Sequence, residues 1–111
     1  MIENIILNYL SEKLDVPVLP EKPSRPFGSA VFIERTGGKG KYIKTTTFAV
    51  QSYADSMYGA ALLNDTAVAA FVDMVELPEI AHVEIDNSGQ NYPDLDTKTY
   101  RYQAVITLTH Y

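Results

Sequence analysis

The chain has 111 residues, 46% of them apolar, which is the size and composition of a single domain that buries a core. Its formal net charge of -5 has the wrong sign for a general nucleic-acid binder, since phosphate binding is driven by clustered Lys and Arg. The lack of cysteine excludes a disulfide framework, a thiolate metal site and a cysteine nucleophile.

Ile2, Ile5, Ile6, Tyr9, Leu10 and Leu14 recur at spacings of three and four with polar residues between them, which predicts an amphipathic first helix. Asp15 and Pro17 end it, because proline lacks an amide donor and pushes the preceding residue out of the helical region. Residues 17 to 28 contain four prolines, Pro17, Pro20, Pro23 and Pro26, and read as an extended connector with a short strand at Val16 to Leu19.

Ser29 to Thr36 is rich in β-branched and aromatic residues and predicts a strand. A second such run follows from Tyr42 to Tyr53, so Gly37-Gly38-Lys39-Gly40-Lys41 reads as the turn of a long hairpin whose basic tip projects from the sheet. Asp55 or Ser56 is placed to cap a second helix that runs to Pro78, as one long helix or as two with a break at Asn64-Asp65-Thr66. Ile80 to Asp86 alternates, with Ala81, Val83 and Ile85 facing inward, and Asn87-Ser88-Gly89 turns the chain. Tyr100 to His110 repeats the alternation as a long or central strand, with Tyr102, Ala104, Ile106 and Leu108 on one face. The expected fold is α+β: an antiparallel or mixed sheet with two helices packed on one face, in the order α-β-β-(β)-α-β-β, as one domain over residues 1–111.

Groups for chemistry are sparse. His82 and His110 read as exposed strand residues, with nothing nearby to orient a catalytic base. Asp86, Asp94 and Asp96 lack the spacing of a calcium loop and read as a solvated segment, leaving at most a weak cation site at an oligomer interface. Gly37-Gly38-Lys39-Gly40 lacks the spacing, the Lys-Ser/Thr pair and the following helix of a phosphate loop. No catalytic residue, metal or cofactor is therefore expected.

Arg35, Lys39, Lys41 and Lys44 form a concentration of positive charge suited to an acidic patch on a neighbour in preference to DNA contact, although the same charges would serve equally to keep an exposed hairpin soluble. Eight tyrosines are available for core or interface, with Tyr92, Tyr100, Tyr102 and Tyr111 in the last third. The candidate contact elements are the hairpin of residues 36 to 45 and the loop of residues 87 to 99, the latter with Tyr92, Asp94, Asp96 and Tyr100. The N-terminus shows no basic region followed by an apolar run, and no stretch is long and apolar enough for a membrane span, so a soluble, unprocessed chain is expected.

The sequence resembles the tail terminator, or tail completion, proteins of long-tailed bacteriophages, including their minor-capsid relatives. The resemblance spans nearly the whole chain. It rests on the first helix leading into Val16-Pro17-Val18, on the strand ending Glu34-Arg35-Thr36-Gly37-Gly38, on Phe48-Ala49-Val50-Gln51-Ser52-Tyr53-Ala54 entering a helix, and on Tyr100 to Leu108 as the closing strand. It implies a homo-oligomeric ring, commonly a hexamer, in the virion at the head-tail interface, assembled in the host cytoplasm. Such a ring caps the tail tube, stops its polymerisation and meets a head-completion protein, without any reaction. DNA would only pass through the lumen, where an acidic lining would keep phosphate from sticking. A head-completion or connector protein on the portal side, and a small ligand-binding α+β domain, are the alternative readings.

Overall fold

A computed structural model describes residues 2–20, 28–92 and 100–111. The first helix, α1 (Ile2–Lys13), forms where the sequence places it and buries Ile2, Ile6, Tyr9 and Leu10, one stripe of its surface. After it comes a two-residue strand, β1 (Val18–Leu19), parallel to β2 (Ala30–Lys39). Pro17 cannot donate to this pairing, but its carbonyl accepts from the Val31 amide at 2.9 Å.

β2 pairs antiparallel with β3 (Lys44–Ala54), and β3 pairs with β5 (Tyr100–His110) in unbroken register from Lys44 opposite His110 to Ala54 opposite Tyr100. Between β3 and β5 in sequence lie α2 (Met57–Asp73), a 3-10 turn (Met74–Glu76) and β4 (Ile80–Asn91), which pairs with the far side of β5. The sheet order is β1-β2-β3-β5-β4, so α2 is a crossover that carries the chain past the position β5 later fills. The α+β fold with three strands between the helices agrees with the sequence reading.

Both helices contribute to one core on one face of the sheet. Ile6 and Leu10 of α1 and Ala67 and Phe71 of α2 meet Val31, Ile33, Phe48, Val50, Ile106 and Leu108 from the strands. On the other face a smaller cluster joins Ala30, Phe32 and Tyr53 with Leu19 beside them, and the Phe32 and Tyr53 rings meet edge to face with centroids 5.0 Å apart.

Several expectations are corrected. Gly37 and Gly38 belong to β2, not to the turn: a bulge between Arg35 and Gly37 carries the pairing on to Lys39 opposite Thr45. A Cβ on Gly38 would lie 2.8 Å from the Thr45 carbonyl oxygen, so glycine is needed there for close strand approach. The reversal falls at residues 40–43, where Gly40 takes φ 110°. The hairpin is consequently part of the sheet, since Lys44 pairs with His110, and only the turn extends past its end.

α2 is one helix. Ser56 caps it, accepting from the Gly59 amide at 3.0 Å. Asn64 does not break it because its amide is used elsewhere: it is buried, and Nδ2 donates to the Ser88 carbonyl at 2.8 Å. Asn87-Ser88-Gly89 does not turn the chain, since β4 continues to Asn91 through register shifts around Asn87. Gly89, at φ 139°, lets Asn64 come close, for a Cβ there would lie 2.2 Å from Asn64 Nδ2. Ala81 is exposed rather than inward, because a bulge between Ile80 and His82 resets the alternation.

Candidate functional site

The four cations of the hairpin do not act as one group. Arg35 precedes the bulge and points to the helix side, where its guanidinium pairs with the Glu3 carboxylate of α1 at 2.5 Å. Partial burial pushes the Glu3 carboxyl up, but the Arg35 hydrogen bond, a backbone amide and nearby positive charge outweigh this and hold it below its ordinary value. Arg35 thus fastens α1 to the hairpin. Lys39, Lys41 and Lys44, all exposed, instead gather around the turn.

Within that basic turn stand two apolar side chains, Tyr42 at 81% and Ile43 at 60% exposure. The Lys41 ammonium lies 5.5 Å from the Tyr42 ring centroid, over its face. The run from Tyr42 to Tyr53 predicts both residues in a strand, whereas they lie in the bend that precedes it. The signal available was Gly40, the residue able to place the turn one step later. Beside the turn runs an open cleft of about 540 Å³, with glycines 37, 38 and 40 and the side chains of Arg35, Lys39 and Lys44 along it.

The second candidate element sits at the opposite end of the sheet. Tyr92 and Tyr100 lie near Ala54, ten β3 positions from Lys44, roughly 33 Å away at strand rise. Asp94 and Asp96 lie outside the described residues. Tyr92 is held in place: the Arg101 guanidinium is 4.2 Å from its ring centroid and Nε donates to its carbonyl at 2.8 Å. Arg101 Nη1 also donates to Tyr53 Oη at 2.8 Å and to Gln51 Oε1 at 3.1 Å, which ties β4, β5 and β3 together on the face away from the helices. The structure does not bring this cluster and the basic turn into one site.

A third surface was not singled out from the sequence. α2 turns Tyr58, Leu62 and Val72 to the outside at 75%, 49% and 47% exposure, and Val75 of the 3-10 turn continues the stripe at 51%. The exposed charges along it, Asp65, Asp73 and Glu76, are all acidic. The signal in the sequence was an apolar pattern wider than one face of a helix can bury.

Of the two histidines, His82 is exposed as expected, whereas His110 is buried and its Nε2 lies 2.8 Å from Thr46 Oγ1. Its place in the alternation puts it with Ala104, Ile106 and Leu108, the inward set, so its burial follows from strand parity. Tyr9 donates to Glu76 at 2.9 Å, and burial together with that carboxylate pushes its phenol up to about 12. Among the described residues no three His, Cys, Asp or Glu side chains stand close enough to hold a metal ion, and no helix is long and apolar enough to cross a membrane. Compared with protein-family models and with curated proteins, the chain matches none.

Proposed function

We propose that this chain is a structural assembly protein that closes into a homo-oligomeric ring, caps the tail tube of a long-tailed bacteriophage, ends tube polymerisation and joins tail to head. The role needs no reaction and no cofactor. The element order supports the reading: a first helix, a short strand directly after Pro17, a hairpin, a strand that feeds a helix, and a long closing strand match features on which the resemblance rests.

The observation that carries it is the distribution of exposed apolar groups. Tyr92, Tyr100 and Tyr111 are exposed too, but Tyr42 and Ile43 crown the basic turn while Tyr58, Leu62, Val72 and Val75 line the acidic outer side of α2, so each subunit offers at least two unlike patches. A ring closed by rotation uses two different patches on every subunit, whereas a two-fold dimer uses one patch twice. Its partners on this reading are copies of itself, the tail tube protein and a head-completion protein.

The test is light scattering over a concentration series with negative-stain imaging, and then co-purification with tail tube protein. Rings of about six copies that bind tube ends are expected. A chain that forms no ring either alone or on tubes overturns the reading, and capture by the portal ring in place of the tube reassigns it to head completion.

A further inference from the structure

The charges are sorted along the chain: no Lys or Arg lies between Thr45 and Thr97, and no Asp or Glu lies between Arg35 and Lys44. Folding turns this order into two separate surfaces. Lys39, Lys41 and Lys44 surround Tyr42 and Ile43 at the turn, and Asp65, Asp73 and Glu76 flank Leu62, Val72 and Val75 on α2 and the 3-10 turn. Positions 58, 62, 65, 69, 72 and 76 are spaced by four and three, so the exposed residues form one continuous stripe.

One chain cannot join its own two surfaces. α2 lays Ala60, Asn64, Ala67, Ala70 and Phe71 inward, so its outer stripe faces away from the sheet that carries the turn. Contact between turn and stripe requires a second copy. Turn against turn would oppose two sets of lysines, and stripe against stripe two sets of carboxylates, so like pairings are disfavoured and the unlike one is steered together.

We propose that the turn at residues 40–43 of one copy docks on the outer stripe of α2 of a second copy, with Tyr42 and Ile43 covering Leu62, Val72 and Val75 and the three lysines facing Asp65, Asp73 and Glu76. This rests on the assembly reading above and names the surfaces that would carry it. The contact is head-to-tail, so every copy both gives a turn and receives one, and the series ends only by closing on itself. Burial of the apolar side chains supplies affinity, while the charges set orientation and make the contact weaken with salt.

The absence of cysteine allows a crosslink without background. In a chain carrying Ile43→Cys together with Val72→Cys, mild oxidation is expected to give a ladder of disulfide-linked multimers, while either substitution alone stops at dimers. Separately, Lys39→Glu/Lys41→Glu/Lys44→Glu and Asp65→Lys/Asp73→Lys are each expected to weaken self-association about tenfold or more at low salt, and an equimolar mixture of the two is expected to restore it. Glu76 is left unchanged because it holds Tyr9 Oη. Circular dichroism melts confirm that each variant is folded.

A ladder with mutual rescue establishes the contact. A chain that assembles normally but gives no ladder and ignores both charge reversals overturns it and leaves the ring reading standing. A ladder that grows only as open filaments establishes the contact and removes the ring. A folded chain that stays monomeric without a ladder over the whole concentration range overturns the contact.

Discussion

Both sides of α2 carry large side chains, and only one side is covered. Toward the sheet it presents Ala60, Asn64, Ala67 and Ala70 with Phe71 near the end, while its large Tyr58, Leu62 and Val72 stand outside. Leu63 and Val68 of α2 also pack, partly buried, against the core, whose bulk on the strand side is Phe48, Val50, Ile106 and Leu108. The outward residues contribute little to the fold of the isolated chain, because they remain largely in water. One side of the helix thus specifies a structure and the other is free to specify a partner.

The sharpest way to break this comparison is to truncate both sides. Phe71→Ala, on the inner side, is expected to cost about 3–5 kcal/mol in urea denaturation through lost burial and the cavity left behind. A cost below about 1 kcal/mol would mean that the helix is not held by its inner side. Gly89→Ala comes next, at about 2 kcal/mol or more, because it combines a strained positive φ with a Cβ driven into Asn64, whose partner is the β4 carbonyl at Ser88. Removing the cap with Ser56→Ala is expected to cost about 1 kcal/mol, read as a lower melting temperature.

Two titrations test the contacts that hold α1. The Glu3 carboxyl is lower in the folded chain than its ordinary 4.5, so the stability it contributes is present above that value and lost as pH falls through the lower folded one. Arg35→Ala should flatten the acid limb of a stability profile in that window. The Tyr9 phenol is raised from 10.0 to about 12, so its contribution is intact below 10.0 and disappears as pH climbs through the folded value. Tyr9→Phe should remove that alkaline step while leaving the acid limb alone.

The smallest effect sharpens the comparison most. Leu62→Ser with Val72→Ser is expected to shift the stability of the monomer by about 0.5 kcal/mol or less per site, as surface changes usually do. The same pair should raise the concentration needed for self-association, measured by sedimentation. A large loss of stability with association unchanged would place the outer stripe in the fold and not at an interface.

Much of this architecture was legible in order along the chain. The 3.6-residue period of Ile2, Ile6, Tyr9 and Leu10, the alternation of Ala104, Ile106 and Leu108, and a cap at Asp55 or Ser56 are local signals, and the elements formed on them, with Ser56 as the cap. Three of the readings that failed involve a partner distant in sequence, whereas the exposure expected of His110 went against its own strand parity. Asn64 looks like a helix breaker until Ser88, 24 residues later, takes its amide, and Asn87-Ser88-Gly89 looks like a turn until Asn87 pairs with Val105 and the pairing resumes at Gln90 after a register shift. Gly37 and Gly38 look like a hairpin turn until the bulge at Arg35 makes them strand.

The candidate surfaces divide the same way. That positive charge is concentrated from Arg35 to Lys44, and that the chain is otherwise acidic, follows from sequence alone, because composition and order do not depend on folding. Which of those cations remains available does depend on it, since Arg35 is drawn to Glu3 across 32 residues while Lys39, Lys41 and Lys44 stay at the turn. Sequence by itself determined the elements, their order and the sorting of charge, all set by neighbours along the backbone. Only the tertiary structure decided that Tyr42, Ile43, Leu62 and Val72 stand outside, because exposure depends on what the rest of the chain covers, and a pattern apolar on every side leaves that choice to packing.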